Sequence, residues 1–166
     1  MLGSVKNVAL SGPRTTIDIP VPRNKLRGAL NDLNTAQSVR LILRNVSADS
    51  PPGTLFAVSI AKATDPAKRE EVGTISWYGA FMHHGRAGGP AHLTLTYDVT
   101  AALQALGGRT LADSGLTVVI EATTGRVSAA GSAAGNCDES ASAAHDFRPQ
   151  ANVRIESVEL YAAHVM

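Results

Sequence analysis

The sequence predicts an all-β protein: an antiparallel β-sandwich, or jelly-roll-like barrel, of about seven strands with one or two short helices. Three observations carry this. Apolar residues recur at every second position in several short runs, as in Val39, Leu41 and Leu43, in Phe56, Val58 and Ile60, and in Leu116, Val118 and Ile120. Clusters of Gly, Pro, Asp and Ser separate the runs, and these are turn residues for definite reasons of backbone geometry. Stretches with helical spacing are brief, and no strand–helix–strand alternation suggests a parallel sheet.

Taken in order, residues 5–10 and 15–21 are β-prone runs around Gly12-Pro13. Pro20 and Pro22 place this piece at a sheet edge or in a linker, because proline cannot donate to a ladder. Residues 24–33 carry Leu26, Leu30 and Leu33 at helical spacing, with Gly28 weakening the helix. Residues 1–37 thus read as a linker with edge strands, leading into a sandwich that occupies 38–166. Residues 38–46 and 54–62 are strands joined by the turn Asp49-Ser50-Pro51-Pro52-Gly53, and the expectation is a hairpin. Residues 65–71 read as a charged connection with room for one helical turn. Residues 72–78 and 92–99 are strands around the glycine-rich stretch Gly85 to Pro90, again expected as a hairpin. Asp98 is placed to cap a short helix over 101–106, which Gly107-Gly108 ends. Residues 116–122 form a strand. Gly, Ala and Ser dominate 123–150, which reads as a flexible insertion. Residues 151–162 close the fold. There Val153 and Ile155 share one parity while Val158 and Leu160 share the other, so a bulge near Ser157 would bring both pairs to one face.

The chain has 166 residues, enough for one domain with a real core. Aromatic residues make up 4%, so that core is built from Val, Ile, Leu and Ala. Formal net charge is +1 and no Lys/Arg cluster forms a nucleic-acid footprint, which argues against that partner. Cys137 is the single cysteine, so no intramolecular disulfide is possible. No apolar run is long enough for a membrane-spanning helix. The opening residues lack the charged and apolar regions of a signal peptide, as an interior fragment also would, and the compartment stays open.

The candidate chemistry is sparse. His83 and His84 are adjacent, so on a strand they point to opposite faces, and no two of the five histidines stand four apart on a helix. They read as exposed loop histidines or, together with Cys137, as weak metal contacts. Cys137 has no second cysteine for a CxxC pair and reads as a free thiol. The segment Gly85-Arg86-Ala87-Gly88-Gly89 lacks the Lys-Ser/Thr that completes a phosphate loop, and no nucleophile-elbow or dinucleotide motif occurs.

The ordered series LILRNVSADSPPGTLFAVSIAK, VGTISWYGAF, LTLTYDVTAALQALGG, LTVVIEAT and VRIESVELYA resembles the C-terminal β-sandwich domain of plant polyphenol oxidases. It is similar also to the β-rich C-terminal domain of molluscan haemocyanin units. Within it, Gly73-Thr74-Ile75 matches a family strand start, and Tyr97-Asp98-Val99-Thr100 matches a segment leading into a short helix. The resemblance spans residues 38–162, with the insertion divergent. It implies a domain that is not itself catalytic and that packs on a helical dicopper oxidase domain, in the same or a separate chain, shielding the copper site from phenols. Copper would belong to that partner; the copper-ligand helices are missing from these residues, so no cofactor is expected here. The match puts Tyr78 at the position that plugs the substrate site, with Phe81 and Met82 as substitutes if the register differs. Tyr78 reads from its strand context as a half-buried strand tyrosine with its hydroxyl bonded nearby, as most strand tyrosines are.

Two other readings stand beside this one. A free-standing module for carbohydrate or protein would use Trp77 and Tyr78 as recognition aromatics, although neighbours on a strand face opposite sides and form no flat platform. A copper-delivery accessory protein would use His83, His84 and Cys137.

Overall fold

The computed structural model describes residues 1–32, 37–77, 91–123 and 147–164. The elements are β1 (Gly3–Ala9), β2 (Arg14–Ile19), α1 (Arg23–Asp32), β3 (Gln37–Ala48), β4 (Leu55–Lys62), β5 (Asp65–Ile75), β6 (Ala91–Asp98), α2 (Thr100–Ala105), α3 (Leu111–Ser114), β7 (Leu116–Thr123) and β8 (Arg154–His164). Two four-stranded antiparallel sheets result, ordered β1-β8-β3-β6 and β2-β7-β4-β5. The chain is wound as a nested series, with β1 beside β8, β2 beside β7, β3 beside β6 and β4 beside β5. That is the jelly-roll order, so the expected fold class holds, with eight strands among the described residues. The alternating aliphatic faces meet between the sheets. Val39, Leu41, Leu43, Val158 and Leu160 come from one side and Phe56, Val58, Ile60, Val118 and Ile120 from the other, all 0–1% exposed. Each such side chain contributes about 1.5–3 kcal/mol of burial. Leu26 and Leu30 of α1 and Leu111 of α3 are part of the same core.

Several local expectations are corrected. β3 and β4 lie in different sheets, so the turn at 49–53 is a corner and not a hairpin. Backbone bonds fix the corner to the segment before β8: Asp49 N donates to Ala151 O (2.8 Å) and Arg148 N to Pro52 O (2.9 Å). β5 and β6 are likewise split between the sheets, so the 72–99 stretch is no hairpin either. Residues 65–71, expected as a connection, belong to β5, which pairs with β4 across the two-residue turn Ala63-Thr64. Lys68, Arg69, Glu70 and Glu71 suit an edge strand, where charge discourages further pairing.

The parity change in β8 is real, but its device is not a bulge in that strand. The register of β8 with both neighbours runs on uninterrupted. Glu156 stands in the row of Asn7 on one side and Asn45 on the other, and both asparagines are left-handed, with φ 56° and 48°. Asparagine tolerates that region better than other side chains. All three strands therefore switch faces together: Val158 gives way to Ile155, Leu43 to Val46, and Val5 to Val8. β6 keeps its alternation, and its register with β3 slips between Leu43 and Val46 instead.

Where the edge strands of opposite sheets meet, a glycine permits the contact on each side. A Cβ on Gly3 of β1 would lie 2.7 Å from Pro20 O and 3.0 Å from Val21 Cγ2. A Cβ on Gly73 of β5 would lie 2.3 and 2.4 Å from the ring carbons Cε1 and Cδ1 of Tyr97 on β6.

Candidate functional site

The two short motifs that carry the family resemblance meet in space. Tyr97 lies over Gly73, and its hydroxyl donates to Thr74 O at 3.0 Å. Burial pushes the Tyr97 phenol up to about 12. Beyond Tyr97 the chain is held at each step. Asp98 Oδ1 accepts from Thr100 N at 2.9 Å, Val99 N donates to Val39 O, and Thr100 Oγ1 accepts from Val39 N. Asp98 thus closes the first turn of α2 from the residue before the cap, which is Val99. Bonds from the Thr100 hydroxyl and then its backbone hold the Asp98 carboxyl below the usual carboxylate range.

On the other arm of this seam, β5 ends at the buried Ile75, and Ser76 leads to Trp77. Trp77 is only 6% exposed and belongs to the core. It is a structural anchor, not a surface recognition aromatic. The residues that follow, Tyr78, Phe81, Met82, His83 and His84, lie outside the described residues, as does Cys137. Among the described residues there is no group of three or more His, Cys, Asp or Glu that could hold a metal ion.

A second locus was missed from the sequence. On the outer face of the β1-β8-β3-β6 sheet, the row of left-handed asparagines turns extra polar side chains outward. Asn45 Nδ2 donates to Glu156 Oε2 at 3.0 Å. His92 Nδ1 sits 2.7 Å from Asn45 Oδ1 and must be the donor, because an amide oxygen only accepts. Asn7, Asn45, Ser47, Arg154 and Glu156 line a depression of about 420 Å³ here. Beside it, Arg44 binds Glu159 at 2.8 Å and holds that carboxyl below its ordinary range, while Ser157 donates to the same carboxylate. The clue available in the sequence was the broken parity in β3, where Val39, Leu41 and Leu43 are followed by Val46 and Ala48.

No family model and no curated protein sequence matches the chain. Among solved structures the chain is similar to latent aurone synthase, a polyphenol oxidase from natural source, with 8% identity, a TM-score of 0.48 and coverage of 97% of this chain and 25% of that one. It is similar also to latent apple tyrosinase, with 12% identity, a TM-score of 0.47 and coverage of 95% and 27%. The chain spans about a quarter of the length of the polyphenol oxidases it matches.

Proposed function

We propose that this chain is a non-catalytic sandwich domain that packs against a helical dicopper oxidase domain and governs the access of phenols to its copper site. The observation that supports this reading is the seam itself. The motifs Gly73-Thr74-Ile75 and Tyr97-Asp98-Val99-Thr100, distant in sequence and shared with the family resembled, lock together around Tyr97. Trp77, anchored in the core, immediately precedes Tyr78. In this reading Tyr78 is the plug, because a phenol side chain mimics a phenolic substrate, with Phe81 and Met82 as its neighbours at the entrance. The copper sits in the partner domain, and the oxidation is the partner's.

The test uses the chain together with its dicopper domain. Binding is followed by co-elution and phenol oxidation by oxygen uptake. A complex with suppressed oxidation is expected, and Tyr78→Ala is expected to raise the rate by about tenfold, equivalent to about 1.4 kcal/mol of lost blocking. Absence of both complex and suppression sinks the proposal. An unchanged rate in Tyr78→Ala retires the plug while leaving the shielding domain.

A further inference from the structure

The depression around Asn45 has the chemistry of a ligand site, and it is independent of the shielding role. Its polar lining combines two carboxamides, a hydroxyl, one guanidinium and one carboxylate in Asn7, Asn45, Ser47, Arg154 and Glu156. Formal charges cancel, so neither a strongly anionic nor a strongly cationic ligand is favoured. Donors and acceptors alternate across the strands, at a spacing of about 4.8 Å per strand. Ala9 adds a small apolar surface to the same lining, while the Val8 side chain packs toward the core. The volume of about 420 Å³ falls in the range of small-ligand sites. The left-handed asparagines matter here: ordinary alternation would turn a side chain of this row toward the core. Two non-glycine residues at positive φ in one row of the sheet set these groups outward together. The row is also held in place, since Asn45 is fixed between Glu156 and His92.

We infer that this depression is a binding site for a neutral carbohydrate, one or two pyranose rings of a glycan chain. A sugar hydroxyl both donates and accepts, so vicinal hydroxyls suit a carboxylate beside an amide. The C–H face of the ring suits Ala9. With no aromatic platform among the described residues of the lining, the affinity is weak, about millimolar.

The experiment titrates the whole chain with neutral hexose tetrasaccharides and follows backbone and side-chain amide resonances. Uronate tetrasaccharides and a concentration series of the protein alone run in parallel. Saturable shifts are expected at Asn7, Asn45, Ser47 and Arg154 with at least one neutral sugar. Asn45→Gly keeps the left-handed backbone and removes the amide, while Glu156→Gln keeps the shape and removes the charge. Each is expected to weaken binding about tenfold with an unchanged melting temperature. The inference is overturned by three outcomes: no shifts with any neutral sugar, shifts that survive both substitutions, or equal binding of uronates. Shifts of the same residues on concentrating the protein alone, with none added by sugar, would assign the face to a second copy and overturn it as well.

Discussion

The two open sides of the jelly roll are closed by the same device with different materials. At the β1/β2 side, Gly3 lets a strand approach a backbone carbonyl and two aliphatic methyls. At the β5/β6 side, Gly73 lets a strand lie under an aromatic ring whose hydroxyl then bonds back to the adjacent Thr74. The first is a contact of shape alone, close to the start of the chain. The second couples shape to a hydrogen bond and to a half-buried ionisable group in the middle of it. A glycine at a sheet edge therefore has no fixed worth; what it admits decides that.

Substitutions along the two seams sharpen or break the contrast. The largest effect is expected from Gly73→Ala, whose methyl would overlap the Tyr97 ring and cost about 1–3 kcal/mol, read by denaturant unfolding. In a Tyr97→Leu background most of that cost should vanish. Additive losses in the double mutant would mean that ring and glycine are not coupled. Next comes Tyr97→Phe, which keeps the ring, loses the bond to Thr74 and should cost about 1 kcal/mol at neutral pH. Tyr97 also gives this seam an alkaline limit. Its folded pKa of about 12 lies above the ordinary value of 10, so above pH 10 the unfolded chain loses a proton that the folded chain keeps. Stability is full below pH 10 and falls as the pH rises toward 12, and Tyr97→Phe should flatten that fall. The smallest effect is expected from Gly3→Ala, about 1 kcal/mol, because the added methyl would meet Pro20 O at 2.7 Å, a smaller overlap than the 2.3 Å at Gly73. A loss equal to that of Gly73→Ala would erase the distinction between the seams.

The strands around 39–43 and 56–60 were legible from apolar residues at every second position, and 116–120, buried on both faces with Thr117 and Val119 at 0% exposure, from its short β-branched run between turn residues. The short helix after Asp98 was legible from its capping residue and from the glycines that end it. Sheet membership was not. A turn such as Asp49 to Gly53 declares a reversal but not whether the chain rejoins its own sheet, and here bonds to Arg148 and Ala151, far along the sequence, decide the matter. β5 was hidden because an edge strand half-exposed on both faces carries charge where alternation would otherwise show. Asn7 and Asn45 were hidden because asparagine within a strand reads as punctuation, and their role appears only when three strands lie side by side. The parity change in 153–160 was visible, and the row that produces it was not. Trp77, conspicuous as the single tryptophan, proved to be core. The other residues singled out for chemistry, Tyr78, Phe81, Met82, His83, His84 and Cys137, lie outside the described residues.

The nested strand order also sets the sequence in which the molecule assembles. β4 and β5 close across two residues, whereas Gly3 must find Leu160. The entropy of ring closure rises with the length enclosed, and folds rich in distant pairings form slowly. Assembly is therefore expected to run from the middle of the chain outward, with β1 laid against β8 last. Hydrogen exchange checks this: β1 amide protons are expected to exchange ahead of those in β3 and β7, and equal protection would refute that order.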